Sequence, residues 1–100
     1  MILVCGEAIV DLFVDEQAGS GMSAQVALGG SPMNVAIGLA RLDEKVAFCG
    51  GLSSDRFGAA LRRKLLFEGV DLDFAIRSER LTTISVVTTD AAGQPSYSFH

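Results

Sequence analysis

The chain is 100 residues long and 49% hydrophobic, with 12 acidic against 8 basic side chains and a formal net charge of -4. That is room for one domain at most, and an acidic balance with a pI near 4.7 argues against nucleic acid as a partner. No basic segment precedes the first apolar run, Glu7 interrupts that run, and no stretch reaches the ~18 uninterrupted apolar residues of a membrane span, so the expected setting is the cytoplasm with no membrane partner.

A mean hydropathy of +0.38 is high for a small domain that must keep its outer faces wet. The pattern predicts a parallel sheet covered on both faces, part of the cover coming from a C-terminal portion beyond these residues. Residues 2 to 5 are a continuous apolar run closed by Gly6, as expected of a strand buried on both faces. Ala8 to Val14 is a second extended segment whose one misfit is Asp11. Residues 15 to 25, with Gly19, Ser20, Gly21 and Ser23, have the composition of an exposed loop or short hairpin.

After the Gly29-Gly30 turn, Ser31 is a good N-cap and Pro32 suits the first helical position, where its missing N–H has no partner to lose. A helix is predicted from Pro32 to about Leu42, with Val35, Leu39 and Leu42 along one face. Gly38 inside it is worth about 1 kcal/mol less than Ala and points to close packing. Val46 to Cys49 is again a short strand, ended by Gly50 and Gly51; Cys5 and Cys49, each in an apolar run, read as small hydrophobes without a disulfide framework. Ser53, Ser54 and Asp55 open a second helix in which Phe57, Leu61 and Leu65 recur at helical spacing, Arg56, Arg62, Arg63 and Lys64 face water, and Gly69 marks the stop. Leu72 to Ile76 is short and fits no one element. Thr82 to Thr89 is rich in β-branched residues, Asp90 to Pro95 is turn-like, and Ser96 to Phe99 alternates polar and aromatic, which together read as a hairpin. Helices alternating with apolar strands predict an α/β layer from which that hairpin projects as a flap.

The diglycine turn is the first candidate site. Two residues without Cβ let the backbone approach a ligand, the following helix directs free N–H groups at it, and Asn34 in the first turn offers amide donors and an acceptor. The bland alternative is a plain helix entry. No Gly-Lys-Ser/Thr ends a P-loop and no GxGxxG follows the first strand, so neither familiar phosphate motif is present.

A longer ordered pattern surrounds the turn. Gly29-Gly30-Ser31-Pro32-Met33-Asn34-Val35-Ala36, Leu39-Ala40-Arg41-Leu42, Val46-Ala47-Phe48-Cys49-Gly50 and Asp55-Arg56-Phe57-Gly58, with Gly6-Glu7 and Asp11 ahead and Glu68-Gly69-Val70-Asp71 behind, resembles the N-terminal signature of ribokinase-like (PfkB) carbohydrate kinases, the bacterial fructokinase-like branch above all. The resemblance covers essentially all 100 residues. It implies a ribokinase-like α/β fold, a doubly wound and mostly parallel sheet with a small projecting β-sheet lid. Residues 1-100 would be the N-terminal part of one kinase domain, with lid strands from about 8-15 and 82-100. Two positions depart from the pattern: Asp43 and Ser53 stand where the family usually has Gly. Both are turn positions, and Asp tolerates a left-handed conformation better than most residues.

Carried over by position, the resemblance implies that Asp11 accepts hydrogen bonds from sugar hydroxyls, that Gly29 and Gly30 let the backbone approach the sugar, and that Asn34 binds a further hydroxyl. Tyr97 and Phe99 are candidate linings of the same site; packing within the hairpin is the commoner use of such aromatics. Asp55, at a helix start, reads as a structural cap. The lid would close over the sugar and exclude water, so that ATP passes its phosphoryl group to a sugar hydroxyl. The catalytic base, ATP and Mg2+ would be held by a C-terminal Asp-Thr-x-Gly-Ala-Gly-Asp motif and its surroundings, which these residues lack, leaving the 100 residues incompetent alone. The implied activity is ATP-dependent phosphorylation of a small sugar, fructose first, with 2-keto-3-deoxygluconate or a nucleoside as alternatives and a homodimer formed through the lid. The reading from a different class is a noncatalytic sugar-binding or dimerisation module.

Overall fold

The computed structural model describes residues 1–17 and 21–100, the side chains of Glu16 and Gln17 excepted. In chain order the elements are β1 (Ile2–Cys5), β2 (Ile9–Gln17), β3 (Gly21–Gly29), α1 (Ser31–Arg41), β4 (Val46–Cys49), β5 (Gly51–Ser53), α2 (Arg56–Phe67), β6 (Ile76–Ser78), β7 (Ile84–Thr89) and β8 (Pro95–Phe99).

β1 and β4 run parallel, Ile2 opposite Val46 through Cys5 opposite Cys49, and α1 packs on both. Phe48 N–H donates to Asp71 O and Asp71 N–H to Val46 O, so the segment after α2 extends this layer as a single bridge. β5 and β6 form a second, short parallel pair, and α2 packs against β5. The third sheet, in the order β3-β2-β7-β8, combines two antiparallel hairpins joined by the parallel pairing of β2 with β7. Its root reaches the core through Val10, which is buried with Met33, Ala36, Ile37, Val46, Phe48, Leu52, Leu61, Leu65 and Val70. Its far end carries β8, exposed along its whole length.

Several expectations change in the folded chain. Of the two faces of β1, the one under α1 is covered within these residues, while the face of Leu3, 49% exposed, and of Cys5 is open, the face whose cover was expected from a portion beyond them. Cys5 lies on that open face and Cys49 is half-buried. Of the two readings of residues 15 to 25, loop or short hairpin, the structure shows the hairpin, with Asp15 paired to Ser23 and Glu16 to Met22; residues 18–20 lie outside the described residues. Hairpin pairing between consecutive strands overrides weak strand propensity there.

α1 begins one residue earlier than predicted. Gly30 is the N-cap, with no side chain bonded to the first turn, and Pro32 follows Ser31 inside the helix. Its buried residues are Met33, Ala36 and Ile37, whereas Val35 is 53% and Leu42 74% exposed. Both sets satisfy helical spacing, so periodicity alone could not choose between them. Gly38 faces open space rather than a close neighbour.

α2 keeps its predicted cap and apolar stripe, but Ser53, expected to open it, belongs to β5, and Arg62 and Lys64 are half-buried rather than fully exposed. Asp55 caps it by accepting from Gly58 N–H at 2.7 Å, and Leu61 and Leu65 are buried. Gly69 follows its end at φ 85, the conformation that stops a helix. Asp43 sits at φ 64, the left-handed turn its replacement of Gly required.

Candidate functional site

Three segments converge at the root of the four-stranded sheet, and glycines allow them to do so. Gly30, at φ 101 and ψ 136, turns the chain from β3 into α1; a Cβ there would lie 2.9 Å from Glu7 O and 3.5 Å from Ala8 Cα. A Cβ on Gly6 would overlap the Pro32 ring. The end of β1, the start of β2 and the start of α1 are thus held in backbone contact, which any larger residue at these points would force apart.

Asp11 lies in this junction. Ile9 pairs with Gly29 and Asp11 with Ala27, so Asp11 and Gly29 occupy diagonal positions on one face. A Cβ on Gly29 would be 2.9 Å from Asp11 Oδ2, so glycine leaves room for the carboxylate. The helix that follows has no acidic residue in its first turn and no side-chain cap. Asn34 N–H donates to Gly30 O at 3.0 Å, which closes the first turn, and the exposed Asn34 side chain stands beside it. The pairing of β2 with β3 thus sets the Asp11 carboxylate beside Gly29, from which the chain turns into the helix that carries the Asn34 amide.

The register of the sheet shows what shares a face with Asp11. Ala27, Asp11, Ser85 and Phe99 form one row across the four strands; Gln25, Phe13, Val87 and Tyr97 form the next row on the same side. Phe99 is two strands from Asp11, about 10 Å at the usual strand spacing. The structure thus puts Tyr97 and Phe99 on the Asp11 face, at its margin and exposed, and puts Asn34 on the helix that leaves it. A hollow of about 470 Å³ opens on this face one row further out, lined chiefly by Phe13, Asp15, Ser23, Gln25, Val87 and Thr89. A smaller hollow of about 210 Å³ lies elsewhere, among Glu7, Gly51, Ser53, Ser78, Arg80 and Thr82.

Ser85 was missed in the sequence. It is 1% exposed and sits between Asp11 and Phe99 in their row. The signal was available: Ser85 interrupts an apolar, β-branched run just as Asp11 does.

Asp55 is committed to structure. Its carboxylate accepts from Gly58 N–H, from Thr82 N–H at 2.8 Å and from the Thr82 hydroxyl at 2.6 Å. Desolvation opposes its ionisation, but the bonds from Thr82 and Gly58 outweigh it and hold the carboxyl down at about 2. Asp55 thereby ties the start of α2 to the segment entering β7.

With this geometry in place, the comparisons with known proteins become decisive. The family model described as pfkB family carbohydrate kinase matches residues 1–100. The chain belongs to that family. It is 39% identical over 100 residues to a fructokinase of Escherichia coli, covering 98% of this chain and 31% of that protein. It is 40% identical over 63 residues to a 5-dehydro-2-deoxygluconokinase of Clostridium perfringens, covering 63% of this chain and 19% of that one. Among solved structures, fructokinase from Xylella fastidiosa superposes with a TM-score of 0.89 at 37% identity, over 99% of this chain and 31% of that chain. An uncharacterized sugar kinase from Pyrococcus horikoshii in complex with ATP superposes with a TM-score of 0.85 at 30% identity, over 100% of this chain and 34% of that one. The expected ribokinase-like α/β architecture is borne out, and the chain spans about a third of the length of the kinases it matches. Among the described residues no helix is long and apolar enough to cross a membrane.

Proposed function

We propose that the protein carrying these residues is an ATP-dependent sugar kinase and that they form its sugar-recognition half, with fructose the substrate. The observation that carries this reading is the Asp11 carboxylate set against the Gly29-Gly30 turn at the start of α1. Asp11 accepts hydrogen bonds from adjacent hydroxyls, the glycines let the ring approach the backbone, and Asn34 pairs with a further hydroxyl. Such a site rejects an analogue lacking one hydroxyl because its own polar groups would be left unpaired.

Charge supports a neutral substrate over an acid sugar. The face carries Asp11 and Asp15, and neither of the two rows of residues nearest Asp11 contains Lys or Arg. A sugar carboxylate would meet like charge there. The similarity to fructokinases points the same way.

The sheet of β2, β3, β7 and β8, which adds β3 to the lid strands expected at about 8-15 and 82-100, acts as the lid and excludes water when sugar is bound; its exposed β8 edge is the surface through which a homodimer would form. Among the described residues no group of acidic, histidine or cysteine side chains could hold a metal ion, so these residues do not fit Mg2+, and no step of the transfer is assigned to them. The base, ATP and Mg2+ belong to the rest of a cytoplasmic kinase.

Calorimetry of the full natural chain with fructose, 2-keto-3-deoxygluconate and a nucleoside, alongside a coupled assay of ATP consumption, tests this. Fructose is expected to bind and to drive turnover, and Asp11→Ala and Asn34→Ala each to weaken binding at least tenfold, about 1.4 kcal/mol, with the fold intact. Normal fructose binding by both variants would remove the site assignment, and absence of any sugar-dependent turnover would remove the kinase reading in favour of a binding module.

A further inference from the structure

Asp11 is flanked by two strands, each of which leads to the start of a helix. On one side β3 runs through Gly29 and Gly30 into α1. On the other side lies β7, which the chain reaches through residues 79 to 83, outside both β6 and β7. Within that connection Arg80 N–H reaches back to the Ser78 hydroxyl, whereas Thr82 is tied across to the start of α2.

One carboxylate makes the tie. Asp55 Oδ2 accepts the Thr82 N–H at 2.8 Å, and Oδ1 accepts the Thr82 hydroxyl at 2.6 Å together with the Gly58 N–H at 2.7 Å. Thr82 is 8% exposed and all of these groups are already paired, so chain that packs outside the clamp leaves its bonds as they are. The clamp continues into the root of the sheet. Thr83 O, one residue on, accepts the Val10 N–H at 3.1 Å, and the parallel pairing of β2 with β7 begins there. Val10 is fully buried, and the residue after it is Asp11. A continuous path therefore runs from the start of α2 through Asp55, Thr82, Thr83 and Val10 to Asp11, and Ser85, buried opposite Asp11, is carried on the same strand as the clamp.

We infer that Asp55 and Thr82 are positioning residues for sugar recognition: their clamp fixes where β7 enters the sheet and thereby sets the place of the Asp11 carboxylate at the sugar. This rests on the sugar-kinase reading above. Both residues act through the backbone, without touching the sugar. A hydrogen bond of about 2.8 Å is lost after a displacement of about 1 Å, so little slack at the root of β7 is needed to weaken the contacts of Asp11.

The test compares the full natural chain with three variants. Thr82→Val loses the hydroxyl bond and keeps the shape, Thr82→Ser keeps both bonds, and Val70→Ala truncates the core past the far end of α2. Fructose affinity by calorimetry, kcat and KM for fructose in the coupled assay, and the melting temperature are measured for each. Thr82→Val should raise both Kd and KM at least about fivefold, with kcat within about twofold, because the contact weakened is made alike in ground and transition states. Thr82→Ser should bind fructose as the parent does. Val70→Ala should melt at least as low as Thr82→Val yet keep the parent's affinity, which separates positioning from stability. Parent-like affinity in Thr82→Val overturns the inference, as does a Thr82→Ser as weak as Thr82→Val, or a Val70→Ala that loses as much affinity. If the parent binds fructose, the sugar-kinase reading survives each of these results; a parent that binds no sugar removes that reading and this inference with it.

Discussion

Removing the Asp55 carboxylate should be among the most damaging single changes to this half of the molecule, for reasons that can be summed from its bonds. Asp55→Ala takes away the N-cap of α2, typically worth about 1 kcal/mol. It also leaves Thr82, 8% exposed, with both its N–H and its hydroxyl deprived of their acceptor. Each unpaired buried group costs about 1 to 3 kcal/mol, so the total loss should be about 3 to 4 kcal/mol, within reach of water relief at the half-buried site. Asp55→Asn keeps one acceptor but turns an NH2 toward a donor, and about 2 kcal/mol is expected.

The charge supplies an independent check. The folded carboxyl lies at about 2 against an ordinary 3.8, so the unfolded chain binds the proton more tightly. Stability from this group is therefore present above pH ~4 and lost as pH falls from ~4 to ~2, amounting to about 2 kcal/mol. Urea unfolding of the full natural chain at pH 7 and across that acid window measures both effects. The reasoning fails if Asp55→Ala costs under about 1 kcal/mol, or if Asp55→Asn loses as much stability as the parent between pH ~4 and ~2.

Two glycines in helices should respond oppositely to alanine. At Gly58 a Cβ would overlap Ser53 O, so Gly58→Ala should lower the melting temperature sharply or prevent folding, whereas Gly38→Ala, in open space, should stabilise by about 1 kcal/mol. Gly30→Ala, at φ 101 and with its Cβ 2.9 Å from Glu7 O, should displace the start of α1 and abolish sugar binding in calorimetry; unchanged affinity would contradict the tight junction described above. Arg41 donates to both Glu68 oxygens at 2.7 and 2.8 Å and is the leading cause holding that carboxyl below its ordinary value. In Arg41→Ala the Glu68 carboxyl should titrate at higher pH by carbon-13 NMR, Lys64 at 3.9 Å compensating only in part.

Much of this architecture is written in short-range signals. The Gly-Gly-Ser-Pro helix entry, the Asp55 cap, the Gly69 stop, the left-handed Asp43 and the hairpin of β7 and β8 each depend on a few adjacent residues whose conformational limits act before any tertiary contact forms. The family pattern likewise marks Asp11, Gly30 and Asn34 by residue type and order.

Other features were illegible because they depend on partners far along the chain. Val35, Leu39 and Leu42 fit helical spacing as well as Met33, Ala36 and Ile37 do, and only the position of β1 and β4 beneath α1 selects the buried stripe. β5 and β6 have three residues each and exist because Gly51 to Ser53 meets Ile76 to Ser78 across a helix. Residues 15 to 25 read equally as loop or hairpin until β2 supplies the hydrogen bonds of β3. Asp55 and Thr82, 27 residues apart, give no local sign of their bond. So it is with the site: the residue types at Asp11, Gly29, Gly30 and Asn34 were plain in the sequence, but that the carboxylate fills the space a Gly29 side chain would take, with Ser85 buried beside it, was decided by strand register, which only long-range pairing sets.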